Sequence, residues 1–198
     1  TLAPRYDDRI RALIPKYRAA LIWLSQPPQI ADMLASDAPA ANRLLADAKA
    51  LLLGEMLVGG LPAAHDAGER MLAAGLAKQS PEGYFTESGG GDTGYNSVSC
   101  LRVAEMALFV DDARLLPALQ RGLSWELARV DQSGQVSDTG NTRTGAGKVT
   151  GTGKAYIIDY PYLIRSFAVA GALTQNAAWT DAANRISAYH TQHKYDKP

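Results

Sequence analysis

The chain has a single cysteine, Cys100, among 198 residues, and it has no excess of either charge. One cysteine excludes an internal disulfide framework and a zinc site built from several cysteines. We expect this thiol to be buried and inert, in preference to a nucleophile. The 20 basic and 20 acidic residues cancel. That balance argues against a partner held by bulk charge, such as a nucleic acid.

Long hydrophobic runs are missing as well. No apolar stretch approaches the roughly 18–20 residues that a membrane-spanning helix needs, so membrane insertion is not expected. The hydrophobic fraction of 46% and the three tryptophans favour a folded domain over a disordered chain. The sequence starts at Thr1 rather than at methionine, which fits a processed secreted protein or a shortened chain. We expect a periplasmic or secreted location in preference to the cytoplasm.

Apolar residues recur at helical spacing along almost the whole chain, and convincing strand pairs are absent. Proline and glycine pairs separate the helical stretches. Two loops, at residues 80–94 and about 131–155, are long and rich in glycine. The pattern predicts one all-α domain over residues 1–198 with about seven helices. The predicted helices cover residues 6–24, 41–58, 62–78, 95–110, 113–129, 156–173 and 176–191, with a short apolar piece near 30–34.

An internal repeat organises these helices. Residues 83–89 match residues 134–140 at a displacement of 51, with glycine, a carboxylate and a hydroxyl residue in register. An Ala-x-x-Arg pattern ends at Arg70, Arg121 and Arg185. One helical hairpin cannot bury both of its faces, so neighbouring hairpins must stack into an arc. The long loops then share one end of the arc, and loops on a rigid scaffold are where function tends to lie.

The units of this repeat have approximate bounds. The helices at the start of the chain precede the first repeated unit. The predicted units are residues 62–111, 113–173 and 176–198, after the N-terminal helices at 4–58.

Residues 83–96 form a Gly-aromatic loop with a glutamate, and the helix that follows it opens with Tyr95 and Asn96. This segment resembles the loops of the α/α-toroid carbohydrate-active enzymes, which include polysaccharide lyases and six-hairpin glycoside hydrolases. The resemblance implies an oligosaccharide or polysaccharide as partner. The predicted helices amount to little more than half of a complete toroid. We therefore expect an arc or an incomplete α/α toroid.

Three carboxylates on the long loops are candidate catalytic groups for hydrolysis: Glu87, Asp92 and Asp138. Glycoside hydrolysis needs two carboxylates, one as acid and one as base or nucleophile. The alternative is that these residues cap helices or brace glycine-rich turns.

A second group of residues fits elimination instead. Some of the enzymes that this segment resembles are lyases. They remove the proton next to a sugar carboxylate, often with a tyrosine, so the resemblance makes Tyr95 a candidate catalytic residue. Asn96 and Arg143 are candidates for neutralising the acid group and stabilising the developing enolate. The alternatives are that Tyr95 packs its ring under the loop and that Arg143 bridges to a loop carboxylate.

Aromatic residues in or beside the loops could stack on sugar rings. Tyr84, Tyr156 and Tyr160 are the substrate-binding candidates, and for Tyr160 the alternative is packing beneath the loop. His190 and His193 have a spacing that could hold a metal on a helix, but no carboxylate motif accompanies them. We interpret them as a solvated tail and predict neither a metal nor a cofactor.

Two hypotheses from different classes follow. The first is a carbohydrate-active enzyme, a lyase or a hydrolase, that acts on an oligosaccharide or polysaccharide at the long-loop end. The second is a non-catalytic helical-repeat scaffold that binds a glycan or a protein. The oligomeric state stays open.

Overall fold

The computed structural model describes residues 4–145 and 158–193, and within these ranges the protein is all-helical, with isolated bridge pairs in place of strands. This confirms the predicted fold class. The described ranges hold eight helices rather than about seven, because the short apolar piece near 30–34 belongs to a full helix. The helices are α1 (Pro4–Leu24), α2 (Pro27–Asp37), α3 (Ala41–Val58), α4 (Pro62–Leu76), α5 (Thr93–Ala107), α6 (Leu115–Leu127), α7 (Tyr160–Thr174) and α8 (Ala177–His193).

The helices pack as three hairpins in two layers. Each short turn joins an inner helix to an outer one, so that α3 packs on α4, α5 on α6 and α7 on α8. The inner helix α5 also packs against both α3 and α7, which links the hairpins into an arc. Helix α1 lies across α3 and α4. The long loops all lie at one end of the arc. The inner helices start there, and the outer helices finish there. We call this end the long-loop face.

One hydrophobic core runs through all three hairpins, from Leu21 to Ile186. Its largest fully buried rings are Phe85, from the first long loop, and Phe167, from α7. Cys100 also lies in this core, as the sequence predicts, and burial raises the pKa of its thiol well above the ordinary value. The thiol therefore stays protonated and is not placed to act as a nucleophile.

The repeat predicted from the sequence is visible in the hydrogen bonds of the two long loops. In the first loop the Thr86 amide donates to the Lys78 carbonyl at 3.0 Å, and at the equivalent positions of the second loop the Ser137 amide donates to the Arg129 carbonyl at 2.8 Å. The isolated bridge between Gln79 and Phe85 likewise recurs at the equivalent positions of the second loop. Both loops therefore have the same backbone fold over these positions.

Each long loop also contacts the next outer helix through a glycine. Gly83 has φ of +106°, and a Cβ built on it would lie 2.6 Å from the Arg121 carbonyl oxygen. Gly134 has φ of +91°, and a Cβ there would clash with the Arg185 carbonyl oxygen. Only glycine combines this φ with so close an approach. The contacted arginines are those of the Ala-x-x-Arg pattern, so α6 and α8 occupy equivalent positions in the repeat.

Candidate functional site

Asp92 joins the two long loops at the start of α5. Its Oδ1 accepts hydrogen bonds from the Tyr95 amide at 3.0 Å and from the Thr144 hydroxyl at 2.7 Å. Its Oδ2 accepts from the amides of Arg143 and Thr144 at 2.6 and 2.7 Å. The side chain is fully buried. Four donors occupy both oxygens, so this geometry supports the interpretation of Asp92 as a helix cap and loop brace.

The brace predicts a large cost for an isosteric change at this position. Asp92→Asn replaces one oxygen with an NH2 group that faces N–H donors, and we expect it to lower the free energy of unfolding by about 2–4 kcal/mol. Urea denaturation followed by circular dichroism measures this. Asp111→Asn, at an exposed position in a short turn, is the control and should change stability by less than about 0.5 kcal/mol. Equal stability of the two variants would contradict the brace.

Asn96 lies in the interior, beneath the long-loop face. Its Oδ1 accepts from the Phe85 amide at 2.8 Å, and its Nδ2 donates to the Gly122 carbonyl at 3.3 Å and to Glu126 Oε1 at 2.8 Å. The side chain is fully buried. Asn96 therefore holds the first long loop against α6, and its contacts are internal ones. Its predicted role in substrate binding has no support from this position.

Glu126 is a buried acid that the sequence analysis did not single out. It shares the inward face of α6 with Leu119 and Leu123 and has no solvent exposure. Burial raises its pKa well above the ordinary value, and the hydrogen bond from Asn96 offsets only part of that effect. Its Oε2 has no hydrogen-bond partner among the described residues. The helical periodicity of α6 already places position 126 on the buried face, which is the signal that could have found it.

Replacing Glu126 with glutamine should remove a pH dependence of stability. The folded state keeps the proton to higher pH than the unfolded chain, whose ordinary pKa is 4.5. The wild-type protein therefore has its full stability below that value and loses stability as the pH rises through the folded-state pKa. Glu126→Gln lacks this loss, so its stability relative to wild type should rise between about pH 5 and about pH 8.

Urea titrations at both pH values measure this difference. Glu82→Gln, at an exposed loop position, is the control and should show no such gain. A stability difference between Glu126→Gln and wild type that stays constant with pH would contradict the account.

Three predicted residues meet where the long loops reach the surface: Glu87, Tyr95 and Arg143, which we call the arginine cluster. Arg143 Nη1 donates to Glu87 Oε1 at 2.7 Å, and the guanidinium carbon lies 4.7 Å from the centre of the Tyr95 ring. The Glu87 side chain is 3% exposed and that of Arg143 is 36% exposed. A buried carboxylate thus aims an arginine over a tyrosine ring, and the arginine still reaches solvent.

The loops are tied together on both sides of this cluster. The Thr142 hydroxyl donates to the Glu87 carbonyl at 2.9 Å, and the Thr142 amide donates to the Gly91 carbonyl at 3.2 Å. Arg129 donates from Nε to the Thr93 hydroxyl at 3.0 Å and from Nη2 to Asn141 Oδ1 at 3.1 Å. The backbone that carries the cluster is therefore held by hydrogen bonds from both loops.

Three other predicted residues belong to the same long-loop face. Asp138 is half-buried and in contact with Gly145 in the second long loop. The Tyr84 ring packs on Trp125 with ring centres 5.2 Å apart. Tyr160 is half-buried, and burial raises its pKa above the ordinary value. Tyr156 lies outside the described residues.

The interpretation of both C-terminal histidines as a solvated tail is wrong for His190. Its ring is half-buried and stacks on Tyr160, with centres 5.3 Å apart and an angle of 11° between the rings. His193 is exposed, but its ring stacks on Tyr189 at 4.2 Å. Because α8 is an outer helix, its last turns bring these residues to the long-loop face.

Two grooves lie on the outer wall of the arc, away from the arginine cluster. One contains Arg121 and Pro117 of α6, and the other contains the equivalent Arg185 and Asp181 of α8. None of the candidate site residues that the structure describes lines either groove. Across residues 4–145 and 158–193, no group of three or more His, Cys, Asp or Glu residues is placed to hold a metal ion. No described helix is long and apolar enough to cross a membrane.

Comparisons with known proteins leave the resemblance as a prediction. No family model, no curated protein and no solved structure matches this chain. The geometry of the long-loop face is therefore the basis for a proposed function.

Proposed function

We propose that this protein is carbohydrate-active and binds a uronate-containing oligosaccharide or polysaccharide at the long-loop face. In this proposal Arg143 pairs with a sugar carboxylate and Tyr95 transfers the proton in a lyase reaction. The observation that carries it is the arginine cluster, in which buried Glu87 holds the Arg143 guanidinium 4.7 Å above the Tyr95 ring. A guanidinium presents paired N–H donors that match a carboxylate.

The chemistry is a β-elimination. A base removes the proton on the carbon next to the sugar carboxylate, and charge develops on the carboxylate oxygens as an enolate forms. Arg143 would stabilise that charge. The electron pair then forms a carbon–carbon double bond, the glycosidic C–O bond breaks, and the leaving oxygen takes up a proton. In this proposal Tyr95, whose ring lies under the Arg143 guanidinium, would act in the proton transfer.

Elimination agrees with the geometry better than hydrolysis does. Hydrolysis needs an acid and a base or nucleophile that both reach the glycosidic bond. Both oxygens of Asp92 are occupied by internal donors. Glu87 is almost fully buried and hydrogen-bonded to Arg143. Of the three candidate carboxylates, only Asp138 is then left, whereas hydrolysis needs two.

The second candidate is a scaffold that binds a glycan without cleaving it. The observation in its favour is that Asp92 and Asn96, two residues predicted to act at the site, make internal hydrogen bonds. Under this alternative Arg143 binds the carboxylate and no bond is broken.

A screen of acidic polysaccharides, including polygalacturonate and alginate, separates these candidates. We expect new ultraviolet absorbance from the double bond of an unsaturated product. New reducing ends without that absorbance would select a hydrolase, and binding without either signal would select the scaffold. The absence of both binding and products with every acidic polysaccharide would contradict the proposal.

A further inference from the structure

A stacked pair of side chains lies at the C-terminal end of α6, and another lies at the C-terminal end of α8. Trp125 is in the last turn of α6, and the guanidinium carbon of Arg129, from the turn that follows α6, lies 4.5 Å from the centre of its ring. On α8 the His193 ring lies 4.2 Å from the Tyr189 ring. The displacement along the chain from the first pair to the second is the one that relates Arg121 to Arg185. The two pairs are therefore repeat-equivalent, and both lie at the long-loop face.

Each of these outer-helix rings also contacts a tyrosine from a long loop or the start of an inner helix. Tyr84 packs on Trp125 with ring centres 5.2 Å apart, and Tyr160 packs on Tyr189 with ring centres 5.8 Å apart. All four residues are half-buried. The fully buried core does not include any of them.

The interior at equivalent positions has diverged between the two units. In the first unit Asn96 donates to Glu126 at 2.8 Å. At the equivalent positions of the second unit the Tyr160 ring stacks on His190, and the Tyr160 hydroxyl accepts from the Val136 amide at 3.4 Å. The surface pairs nevertheless keep an aromatic ring stacked against a nitrogen-rich side chain. The buried contacts beneath the pairs differ between the two units. Core packing therefore does not explain why both surface pairs stack an aromatic ring against a nitrogen-rich side chain.

We propose that the Tyr84–Trp125 and Tyr160–Tyr189 pairs form two further subsites, each for one sugar ring of an oligosaccharide that extends along the long-loop face. This inference rests on the proposed function. The C–H face of a sugar ring is apolar and is suited to the face of an aromatic ring. Arg129 and His193 hold the outer rings in one orientation, which lowers the entropy lost when a ligand binds. The ligand is therefore a chain long enough to contact two repeat units.

Calorimetric titrations with a disaccharide and a hexasaccharide of galacturonate test this. We expect the hexasaccharide to bind more tightly. Trp125→Leu and Tyr189→Leu keep an apolar side chain but remove the ring, and each should weaken hexasaccharide binding about fivefold to tenfold. Neither should change disaccharide binding. Tyr189→Phe keeps the ring and should bind like wild type.

Trp23→Leu is the matched control. Trp23 is 59% exposed and follows Leu21, which packs on Gly54 near the short turns at the opposite end of the arc. We expect it to leave both affinities unchanged. Unchanged hexasaccharide binding in Trp125→Leu and Tyr189→Leu, with binding still lost in Arg143→Ala, would overturn this inference and leave the proposed function standing. If neither saccharide binds the wild-type protein, this inference and the proposed function are both contradicted for galacturonate.

Discussion

We expect Arg143→Ala to lower the rate of the proposed uronate elimination by about 10²–10³-fold, because the group that would stabilise the developing enolate is gone. The loss should appear in KM as well as in kcat, since Arg143 pairs with the carboxylate when the substrate binds and the charge on that carboxylate grows as the proton leaves. Arg143→Lys keeps the positive charge but loses the paired donors, so we expect an intermediate rate. The assay follows the ultraviolet absorbance of the unsaturated product under saturating substrate.

Tyr95→Phe separates chemistry from packing in the same assay. It keeps the ring beneath the Arg143 guanidinium but removes the hydroxyl, so binding should be retained and the rate should fall about 10²-fold or more. Arg121→Ala is the control, because Arg121 lies on the outer wall in a groove away from the cluster. Full turnover in Arg143→Ala would remove Arg143 from the reaction, and full turnover in Tyr95→Phe would do the same for Tyr95.

Gly134→Ala should destabilise the protein by about 3 kcal/mol or more. An alanine at this positive φ is strained, and its Cβ would also clash with backbone atoms. Gly134 has φ of +91°, and its Cβ position is occupied by the backbone at Arg185 and Ile186. Backbone cannot move aside as a flexible side chain can, so either the second long loop or α8 must shift. Urea denaturation measures the change.

Gly140→Ala provides the matched control in the same loop. Gly140 has φ of +77°, but nothing lies within 4 Å of its Cβ position. It should therefore cost only about 1 kcal/mol for the backbone conformation. Gly83→Ala, at the repeat-equivalent position of the first loop, should resemble Gly134→Ala. Equal costs for Gly134→Ala and Gly140→Ala would contradict the loop-to-helix contact on which the repeat depends.

The architecture was predictable because it depends on patterns that recur along the chain. Helical spacing and the match of residues 83–89 to 134–140 predicted the hairpins, and the glycine contacts at Arg121 and Arg185 confirm their register. Helix α2 extends beyond the short apolar piece near 30–34 because Pro27 and Pro28 do not only follow the end of α1. They also occupy the first turn of α2, where a backbone N–H has no partner within the helix, so a proline there costs no helical hydrogen bond.

The candidate site was predictable only in part. Repeat register placed Glu87, Tyr95 and Arg143 on one face, and the structure brings these three together. Sequence does not show which polar side chains in a helix's first turn face inward, so the internal role of Asn96 was not foreseen. The buried position of Glu126 and the stacking of His190 were missed because a charged residue or histidine on an outer helix is ordinarily solvated.

The most direct test of the central claim is an amide NMR titration of the wild-type protein with a galacturonate hexasaccharide. We predict that the largest shift changes fall on Glu87, Tyr95 and Arg143, and that Arg143→Ala abolishes them. A neutral hexasaccharide of glucose should give much smaller changes. Saturable shifts confined to the outer-wall grooves at Arg121 and Arg185, with none at the arginine cluster, would contradict the account.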